Sequence, residues 1–306
     1  MNTNKRAILT ATILCGLTIS ASAMDIRVEL DGSGDYTTIQ EAINAAISTV
    51  DGIIVGQGVF DGFDCNKHIS VRGMGPQYTR LRSTVWVENN YALTLQKLSI
   101  VGANGYGVYA KSSSWIGMDN IVVANCTSTG IRIEAYANAS MRNCTCVYNG
   151  SNSSGDGIRL YRSEFITINS CIVAYNRSYG IACDDDYSGS VAKGDFNCVY
   201  GNGIQNFLYF NNTFINSTSI DPLFVNRITG DYTLQSTSPC RNKGVPGELY
   251  LDPDGSRNDL GAYGGPAAKD FWPYPKGAPV ITDAQASSSS VPMGGKLTIR
   301  ATARVP

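Results

Sequence analysis

Between residues 98 and 185 the chain repeats one pattern four times: LSIVGANGYGVYAK (98–111), NIVVANCTSTGIRIEA (120–135), NCTCVYNGSNSSGDGIRLYR (143–162) and NSCIVAYNRSYGIACDD (169–185). Each stretch has a short apolar run, then small polar residues, then a glycine followed by alternating apolar and polar residues. The glycines recur at intervals of 23, 27 and 23 residues and are Gly107, Gly130, Gly157 and Gly180. Self-similarity at this period is typical of a solenoid. A solenoid binds along its lateral surface, so columns of side chains across repeats carry the functional information.

Alternation along each strand sorts these repeats into columns that face inward. The first strand of each repeat supplies two columns and the second strand supplies two more. The columns are Leu98, Ile121, Cys144, Cys171; Ile100, Val123, Cys146, Val173; Val108, Ile131, Ile158, Ile181; and Ala110, Ile133, Leu160, Cys183. Asn125, Asn149 and Asn176 follow the first strand in three repeats. We expect a structural column there, because asparagine tolerates left-handed turns and bonds neighbouring backbone.

The first 23 residues have the features of a secretory signal. Lys5 and Arg6 precede an apolar stretch, and the sequence Ala-Ser-Ala ending at Ala23 supplies a small-residue cleavage site. The apolar stretch is too short to span a membrane. We therefore expect cleavage after Ala23 and a secreted, extracellular or cell-surface product.

A capping helix is predicted directly after this segment. Thr38 and Glu41 have the spacing of a capping box. The apolar residues that follow fall on one helical face and are Ile39, Ala42, Ile43, Ala46 and Ile47. Such a helix would cover the backbone that the first coil leaves unpaired.

Charge and cysteine content limit the partners and the chemistry. The formal net charge is −1, and it becomes −3 without Lys5 and Arg6, which argues against a nucleic-acid partner. No later segment is predicted to insert into a membrane. Eight of the nine cysteines lie beyond the signal segment, and two alternatives remain open. Those in the repeats replace Leu, Ile or Val, which indicates buried thiols, whereas an even count in a secreted chain permits at least one disulfide.

The repeats resemble the right-handed parallel β-helix superfamily, the pectate-lyase-like fold. The segment DGSGDYTTIQEAINAA (31–46) is similar to the start of pectin methylesterases and of many secreted β-helix proteins. The segments IDPLFVNRITGDYTLQSTSPCRNKG (220–244) and DPDGSRNDLGAYGG (252–265) are similar to the ends of bacterial β-helix repeat proteins. The resemblance implies an all-β, right-handed parallel β-helix solenoid over residues 24–265, with an N-terminal capping α-helix. The superfamily hosts many chemistries, so the resemblance implies no particular reaction.

Two further segments follow the predicted β-helix. Residues 266–280 are rich in proline and aromatic residues, which predicts a linker or a tail lying on the last coil. Residues 281–306 alternate like the first strands of an immunoglobulin-like domain but stop too soon to bury a core. They are either the start of such a segment or a disordered tail.

Outward columns supply the candidate functional site. They are Tyr109, Arg132, Arg159, Ala182; Lys111, Glu134, Tyr161, Asp184; and Tyr136, Ser163, Asp186. A sugar chain on this patch would stack on tyrosines and bond to charged groups. We therefore predict a polysaccharide partner, with Tyr109, Glu134, Tyr136 and Tyr161 binding substrate.

One interpretation of this patch is a polysaccharide lyase. In β-elimination a base removes the proton beside a uronate carboxylate, and a cation must neutralise that carboxylate. The catalytic candidates are Arg132, Arg159 and Lys111, and the candidate Ca²⁺ ligands are Asp184, Asp185 and Asp186. The alternative is structural, because outward strand residues often form cross-strand ion pairs, here Glu134 with Arg132 and Arg159. Consecutive aspartates are equally typical of a solvated loop.

Other enzyme classes lack their motifs in this chain. The active-site motifs of pectin methylesterases, polygalacturonases and pectate lyases are not found, and neither is a G-x-S-x-G elbow or a Ser-His-Asp set. His68 is isolated, which predicts a structural role, and Asp252, Asp254 and Asp259 are expected to form turns at the final cap. We predict a monomer that interacts with polysaccharide, with Ca²⁺ as the one candidate cofactor. The alternative is a non-catalytic adhesin-like or structural module.

Overall fold

The computed structural model describes residues 25–47, 52–152, 155–163, 165–184, 192–208, 213–272, 280–286 and 299–304. The predicted signal segment lies outside these residues, and so do Asp185 and Asp186.

The described chain consists mainly of short strands. One α-helix, α1, spans Ile39–Ala45, and two short 3-10 helices span Glu248–Tyr250 and Pro266–Asp270. The strands are β1 (Asp25–Val28), β2 (Gly52–Val55), β3 (Gly58–Phe60), β4 (Asp64–Cys65), β5 (Ile69–Arg72), β6 (Thr79–Leu81), β7 (Val85–Val87), β8 (Ala92–Val101), β9 (Val108–Ala110), β10 (Trp115–Ala124), β11 (Ile131–Glu134), β12 (Asn138–Arg142), β13 (Thr145–Val147), β14 (Ile158–Tyr161), β15 (Ile166–Asn169), β16 (Ile172–Ala174), β17 (Tyr179–Asp184), β18 (Ala192–Asp195), β19 (Cys198–Tyr200), β20 (Gln205–Leu208), β21 (Thr213–Ile215), β22 (Phe224–Asn226), β23 (Asp231–Leu234), β24 (Val280–Ala286) and β25 (Ile299–Arg304).

These strands stack as a parallel β-solenoid of about seven coils. The first row runs β1-β2-β5-β8-β10-β12-β15-β18-β21, and the opposite sheet, called sheet B, runs β20-β17-β14-β11-β9-β7-β4. A second row contains β3, β6, β13, β16 and β19, and it joins the first row through the long strands β8 and β10. Like residues pair with like across coils, as in Leu98 with Ile121 and Ile131 with Ile158. The predicted fold class is confirmed.

At the bend from the first row to the second, one residue in each of four successive coils has a left-handed backbone conformation. Positive φ angles of 54°, 54°, 48° and 54° occur at Lys97, Asn120, Asn143 and Ser170. One residue in this conformation lets a strand change direction without a loop. The two rows are therefore nearly continuous in sequence.

The core lies inside the coils, where the sequence predicts it. All sixteen residues of the four inward columns have at most 2 % of their surface exposed. The eight cysteines from Cys65 to Cys240 are buried thiols with no disulfide among the described residues, which confirms the first of the two alternatives. Burial raises the pKa of Cys65 to about 11 and that of Cys126 to about 12.

An internal ladder of asparagine amides runs along the solenoid. The Asn149 amide donates to Asn176 Oδ1 and the Asn176 amide donates to Asn202 Oδ1, each over 3.0 Å. Asn149 and Asn176 thus have the predicted structural role. Asn125 has the left-handed conformation that the prediction named, with φ 56°, but it lies outside the ladder, because Cys126 takes the ladder position and donates its N–H to Asn149 Oδ1.

Three of the recurring glycines, Gly130, Gly157 and Gly180, pack directly against the asparagine ladder. A Cβ atom on Gly157 would lie 2.4 Å from Val173 Cγ1 and 2.6 Å from Asn176 Nδ2. A Cβ atom on Gly130 would lie 2.6 Å from Asn149 Nδ2. Glycine therefore recurs about every 23 residues because the ladder and the core approach the backbone too closely there for a side chain to fit.

The N-terminal helix forms as predicted and is shorter than predicted. The Thr38 side chain accepts a hydrogen bond from the Glu41 N–H at 3.3 Å, and Ile39 and Ile43 are buried. Ile47 is 93 % exposed, so its predicted place on the buried face is wrong. The backbone leaves the helical region at Ala46, with ψ 125°, and the apolar stripe ends there.

Residues 244–272, called the C-terminal segment, cover the outer side of the second row. Outward residues of that row form a second apolar cluster with the segment, including Val122, Val147, Ile172, Leu260, Ala262, Tyr263 and Phe271. The Asn120 amide donates to the carbonyls of Ala262 and Gly264 over 2.9 and 2.7 Å. Lys97 forms a 2.6 Å ion pair with Asp270. Residues 266–272 therefore lie against early coils, which differs from the predicted tail on the last coil.

Two strands near the C-terminus pair with each other. β24 and β25 are antiparallel, and residues 273–279 and 287–298 of the predicted linker and immunoglobulin-like segment lie outside the described residues. In the part of the chain that the structure describes, no helix has both the length and the apolar character needed to cross a membrane.

Candidate functional site

Successive strands of sheet B place one outward residue each in a single column. Trp86 pairs with Tyr109, Tyr109 with Arg132, and Arg132 with Arg159. We call this column, together with its neighbours Glu88, Tyr106, Lys111, Glu134 and Asp156, the sheet B face. The predicted Tyr109-Arg132-Arg159 column is confirmed. Ala182, predicted next in the column, is in register with Arg159 but fully buried, so the face ends before it.

Three aromatic rings form the centre of the sheet B face. The ring centroids of Trp86 and Tyr109 are 4.8 Å apart at 72°, and those of Tyr106 and Tyr109 are 5.0 Å apart at 35°. Arg132 Cζ lies 5.9 Å from the Tyr106 centroid, and Lys111 Nζ lies 5.4 Å from the Tyr109 centroid. Cations at these distances are attracted to the ring faces. The rings are thereby held in a fixed, partly exposed cluster.

Glu134 ties the aromatic cluster to the arginine column. Its carboxylate accepts hydrogen bonds from the Tyr109 hydroxyl and from Arg132 Nε, the latter at 2.7 Å. Burial and this contact with Glu134 raise the pKa of Tyr109, so Tyr109 remains a neutral donor. The side chains of Arg132 and Glu134 are only 22 % and 18 % exposed.

The other two candidate catalytic cations are also in ion pairs. Lys111 Nζ lies 3.1 Å from Glu88 Oε2, and Arg159 Nη1 lies 2.6 Å from Asp156 Oδ2. Asp156 is buried, and its other carboxylate oxygen accepts the Tyr179 N–H at 3.0 Å. The predicted pair of Glu134 with Arg132 is confirmed, whereas the partner of Arg159 is Asp156 rather than Glu134.

Several predicted residues lie at the margin of the sheet B face. Tyr161 pairs in register with Glu134, and the Arg162 guanidinium lies 5.1 Å from its ring centroid. Tyr136 is 43 % exposed in the turn after β11, with φ 66°. Ser163 is fully buried and donates its hydroxyl to the Ile133 carbonyl, so its predicted outward position is wrong.

The predicted calcium site stays a prediction. Asp184 ends β17, and its side chain is not described; Asp185 and Asp186 lie outside the described residues. Among described residues no group of three or more His, Cys, Asp or Glu is placed to hold a metal ion.

Two residues outside the face have the structural roles predicted for them. His68 Nδ1 accepts the Ala92 N–H at 3.1 Å. Asp254 accepts the Ser256 N–H at 2.9 Å in a turn.

Four members of the sheet B face are absent from the sequence prediction: Trp86, Glu88, Tyr106 and Asp156. Trp86 lies one 23-residue period before Tyr109, with apolar neighbours at 85 and 87. Extending the repeat one coil earlier would have found it. Tyr106 and Asp156 lie in turns before their strands, where alternation gives no direction.

The sheet B face combines an aromatic cluster with balanced charge. Its ring cluster offers apolar area with polar edges, which suits ligands that are apolar on one side and polar on the other. Lys111, Arg132 and Arg159 each have a carboxylate partner within 3.1 Å. The face therefore favours uncharged ligands over polyanions.

The comparisons with known proteins agree with this architecture. A family model described as "Right handed beta helix region" matches residues 70–219, about half of the chain. No match was found among curated proteins. The parallel coils and this match together identify the chain as a right-handed β-helix protein.

Proposed function

We propose that the sheet B face binds a polysaccharide chain without cleaving it. The observation that carries the proposal is the cluster of Trp86, Tyr109 and Tyr106 on adjacent coils. Adjacent coils are about 4.8 Å apart, so a sugar chain lying along the solenoid meets a new set of side chains at each coil. Ring faces supply apolar contact, and Glu134 and Arg132 supply hydrogen bonds at the edge.

The ion pairs favour binding over β-elimination. A lyase needs a cation that is available to neutralise the uronate carboxylate in the transition state. Arg132, Arg159 and Lys111 each already face a carboxylate. A polyuronate would have to compete with Glu134, Asp156 or Glu88 for these cations. If Glu134 or Asp156 lost, its buried or partly buried carboxylate would be left without its ion-pair partner.

Affinity electrophoresis in gels containing soluble glycans tests the proposal. The panel contains neutral polymers, galactomannan and hydroxyethylcellulose, and an acidic polymer, polygalacturonate. We expect retardation by a neutral polymer, and about a tenfold weaker retention for Tyr109→Ala, corresponding to about 1.4 kcal/mol. Phe165→Ala is the matched control, because Phe165 is an aromatic residue, 72 % exposed, next to first-row strand β15.

Three outcomes would contradict the proposal. Equal retention of Tyr109→Ala, Trp86→Ala and the parent protein would remove the sheet B face from glycan binding. Release of ultraviolet-absorbing unsaturated product from polygalacturonate, lost in Arg132→Ala, would instead establish a lyase. Absence of retention on all three polymers would favour the structural module.

We also propose that the protein acts outside the cell. The proposal rests on Lys5, Arg6 and the apolar stretch that ends at Ala23. Expression in a secreting host followed by N-terminal sequencing tests it. We expect a mature protein that begins at Met24, and an intact residue 1 in the cell interior would contradict the proposal.

A further inference from the structure

A cleft lies on the first row, on a different face of the solenoid from the sheet B face. Its volume is about 280 Å³, near the lower end of the range for small-ligand sites. The lining residues that carry the argument are Thr94, Trp115, Ser140, Arg142, Asn169 and Tyr250. We call it the Trp115 cleft.

An exposed indole forms one side of the Trp115 cleft. Trp115 begins β10 and is 41 % exposed, although large apolar side chains in this solenoid are mostly buried. Gly117 lies two residues on, and a Cβ atom there would lie 2.4 Å from Trp115 Cη2 and 3.0 Å from Cζ3. The tip of the indole therefore lies over Gly117, where no side chain interferes. Thr94 and Ser140, which are in register with Gly117, keep the floor small and polar.

The C-terminal segment supplies a second part of the cleft lining. Tyr250 ends a 3-10 helix, and Val245 lines the cleft beside it. The Val245 N–H donates to Ser170 Oγ at 2.9 Å, and the Gly244 N–H donates to the Asn258 carbonyl at 2.7 Å. These bonds fix the segment on the coil that contains Ser170. The cleft is thus built from parts far apart in sequence.

A neutralised ion pair forms the polar end of the cleft. Arg142 Nε and Nη2 donate to the two carboxylate oxygens of Asp119 over 2.9 and 3.1 Å, and Gln96 also donates to Asp119. A bidentate pair of this kind has no net charge but keeps guanidinium N–H groups and carboxylate lone pairs for further hydrogen bonds. Asn169 adds an amide at the same end. The chemistry selects hydroxyl groups rather than a charged ligand.

We propose that the Trp115 cleft binds a single uncharged pyranose ring, either a monosaccharide or the end of a glycan chain. The indole contacts the apolar face of the ring, and the Asp119–Arg142 pair bonds its hydroxyls. The volume of the cleft and its lining by Tyr250 limit the site to about one ring. This site is separate from the sheet B face and does not depend on glycan binding there.

Nuclear magnetic resonance of the ¹⁵N-labelled protein tests the proposal. The chain has three tryptophans, so the Trp115 indole N–H signal is assigned by its loss in Trp115→Phe. The probes are the methyl glycosides of glucose, galactose, mannose and N-acetylglucosamine. We expect at least one to shift the Trp115 signal with a Kd of about 1–10 mM, the weak range expected of one small ligand.

Two variants make the test specific. Gly117→Ala displaces the indole tip while keeping the tryptophan, and the backbone at Gly117 has no positive φ that would exclude alanine. Tyr250→Ala removes a lining side chain that lies in a 3-10 helix, outside the strands of the coils. Each is expected to weaken binding about tenfold, whereas Ile228→Ala, at a 92 % exposed residue outside both sites, leaves the Kd unchanged.

The proposal is overturned if no probe shifts the Trp115 signal at about 50 mM, well above the expected Kd. It is also overturned if Gly117→Ala and Tyr250→Ala, folded as judged by their spectra, keep the parent affinity. Loss of binding in Tyr109→Ala would place the pyranose on the sheet B face instead. A failure of polysaccharide retention on the sheet B face would leave the Trp115 cleft unaffected.

Discussion

The amide ladder makes Asn176→Ala the most demanding test of the fold. Asn176 is 1 % exposed; its Oδ1 accepts the Asn149 N–H at 3.1 Å, and its amide donates to the Cys146 carbonyl at 3.0 Å. Alanine removes both contacts from buried main-chain groups. At about 1–3 kcal/mol for each buried group left without its partner, the free energy of unfolding falls by about 2–6 kcal/mol. That is a large share of the stability of an ordinary domain, about 5–15 kcal/mol.

Urea unfolding followed by circular dichroism measures this loss. The control is Asn104→Ala, because Asn104 is exposed and its side chain accepts a long, 3.4 Å hydrogen bond from the Thr127 hydroxyl. We expect the control to change the free energy by less than about 0.5 kcal/mol. An Asn176→Ala protein within that same margin, with an unchanged denaturant slope, would refute the structural role of the ladder.

Three further predictions concern the core and the C-terminal segment. The buried thiols, among them Cys126 with a pKa raised to about 12, should react with a thiol reagent only after unfolding, and rapid reaction of the native protein would contradict their burial. Burial raises the pKa of Asp252 to about 7 and also raises that of Asp259, so the folded state holds protons that the unfolded state releases. The melting temperature should therefore fall as pH rises from about 4 to about 7, less steeply in Asp252→Asn, and an equal slope in both proteins would count against this cause. Gly157→Ala should lower the free energy of unfolding, measured by chemical denaturation, by about 1–3 kcal/mol, because its Cβ would overlap Val173. Parent-like stability would show that the backbone around residue 157 can relax.

The inward columns were predictable because parallel strands in register repeat one spacing. Once Leu98 is aligned with Ile121, the pleat fixes which neighbours face inward. Asn125 was misplaced by one position because asparagine suits both a left-handed bend and the ladder, and the sequence does not distinguish them. Ile47 was misplaced because helical periodicity continues in the sequence beyond the point where the backbone leaves the helix.

The candidate site was predictable only in part. Alternation gave the direction of Tyr109, Arg132 and Arg159, since all three lie within strands. It could not give the partner of Arg159, because Asp156 lies in a turn of the longest repeat. Without Asp156, the sequence left Arg159 as a candidate catalytic cation. The balance of charge on the sheet B face depends partly on Asp156, which lies in a turn. The periodicity of the repeats does not predict where the side chains of turn residues lie.

The C-terminal segment decides which faces of the solenoid a ligand can reach. The second-row runs IVVA (121–124) and CIVA (171–174) are apolar at consecutive positions, typical of strands buried on both sides. Their outward residues are covered by the segment, which Asn120 anchors through its amide at a left-handed bend. With that side covered, sheet B and the first row are the lateral faces left open among the described residues. Sheet B carries a partly exposed aromatic cluster and the first row carries the exposed Trp115, each beside a neutralised ion pair. On the first row the same segment also supplies Tyr250 to the lining of the Trp115 cleft, so the segment that covers one face also shapes the cleft on the next.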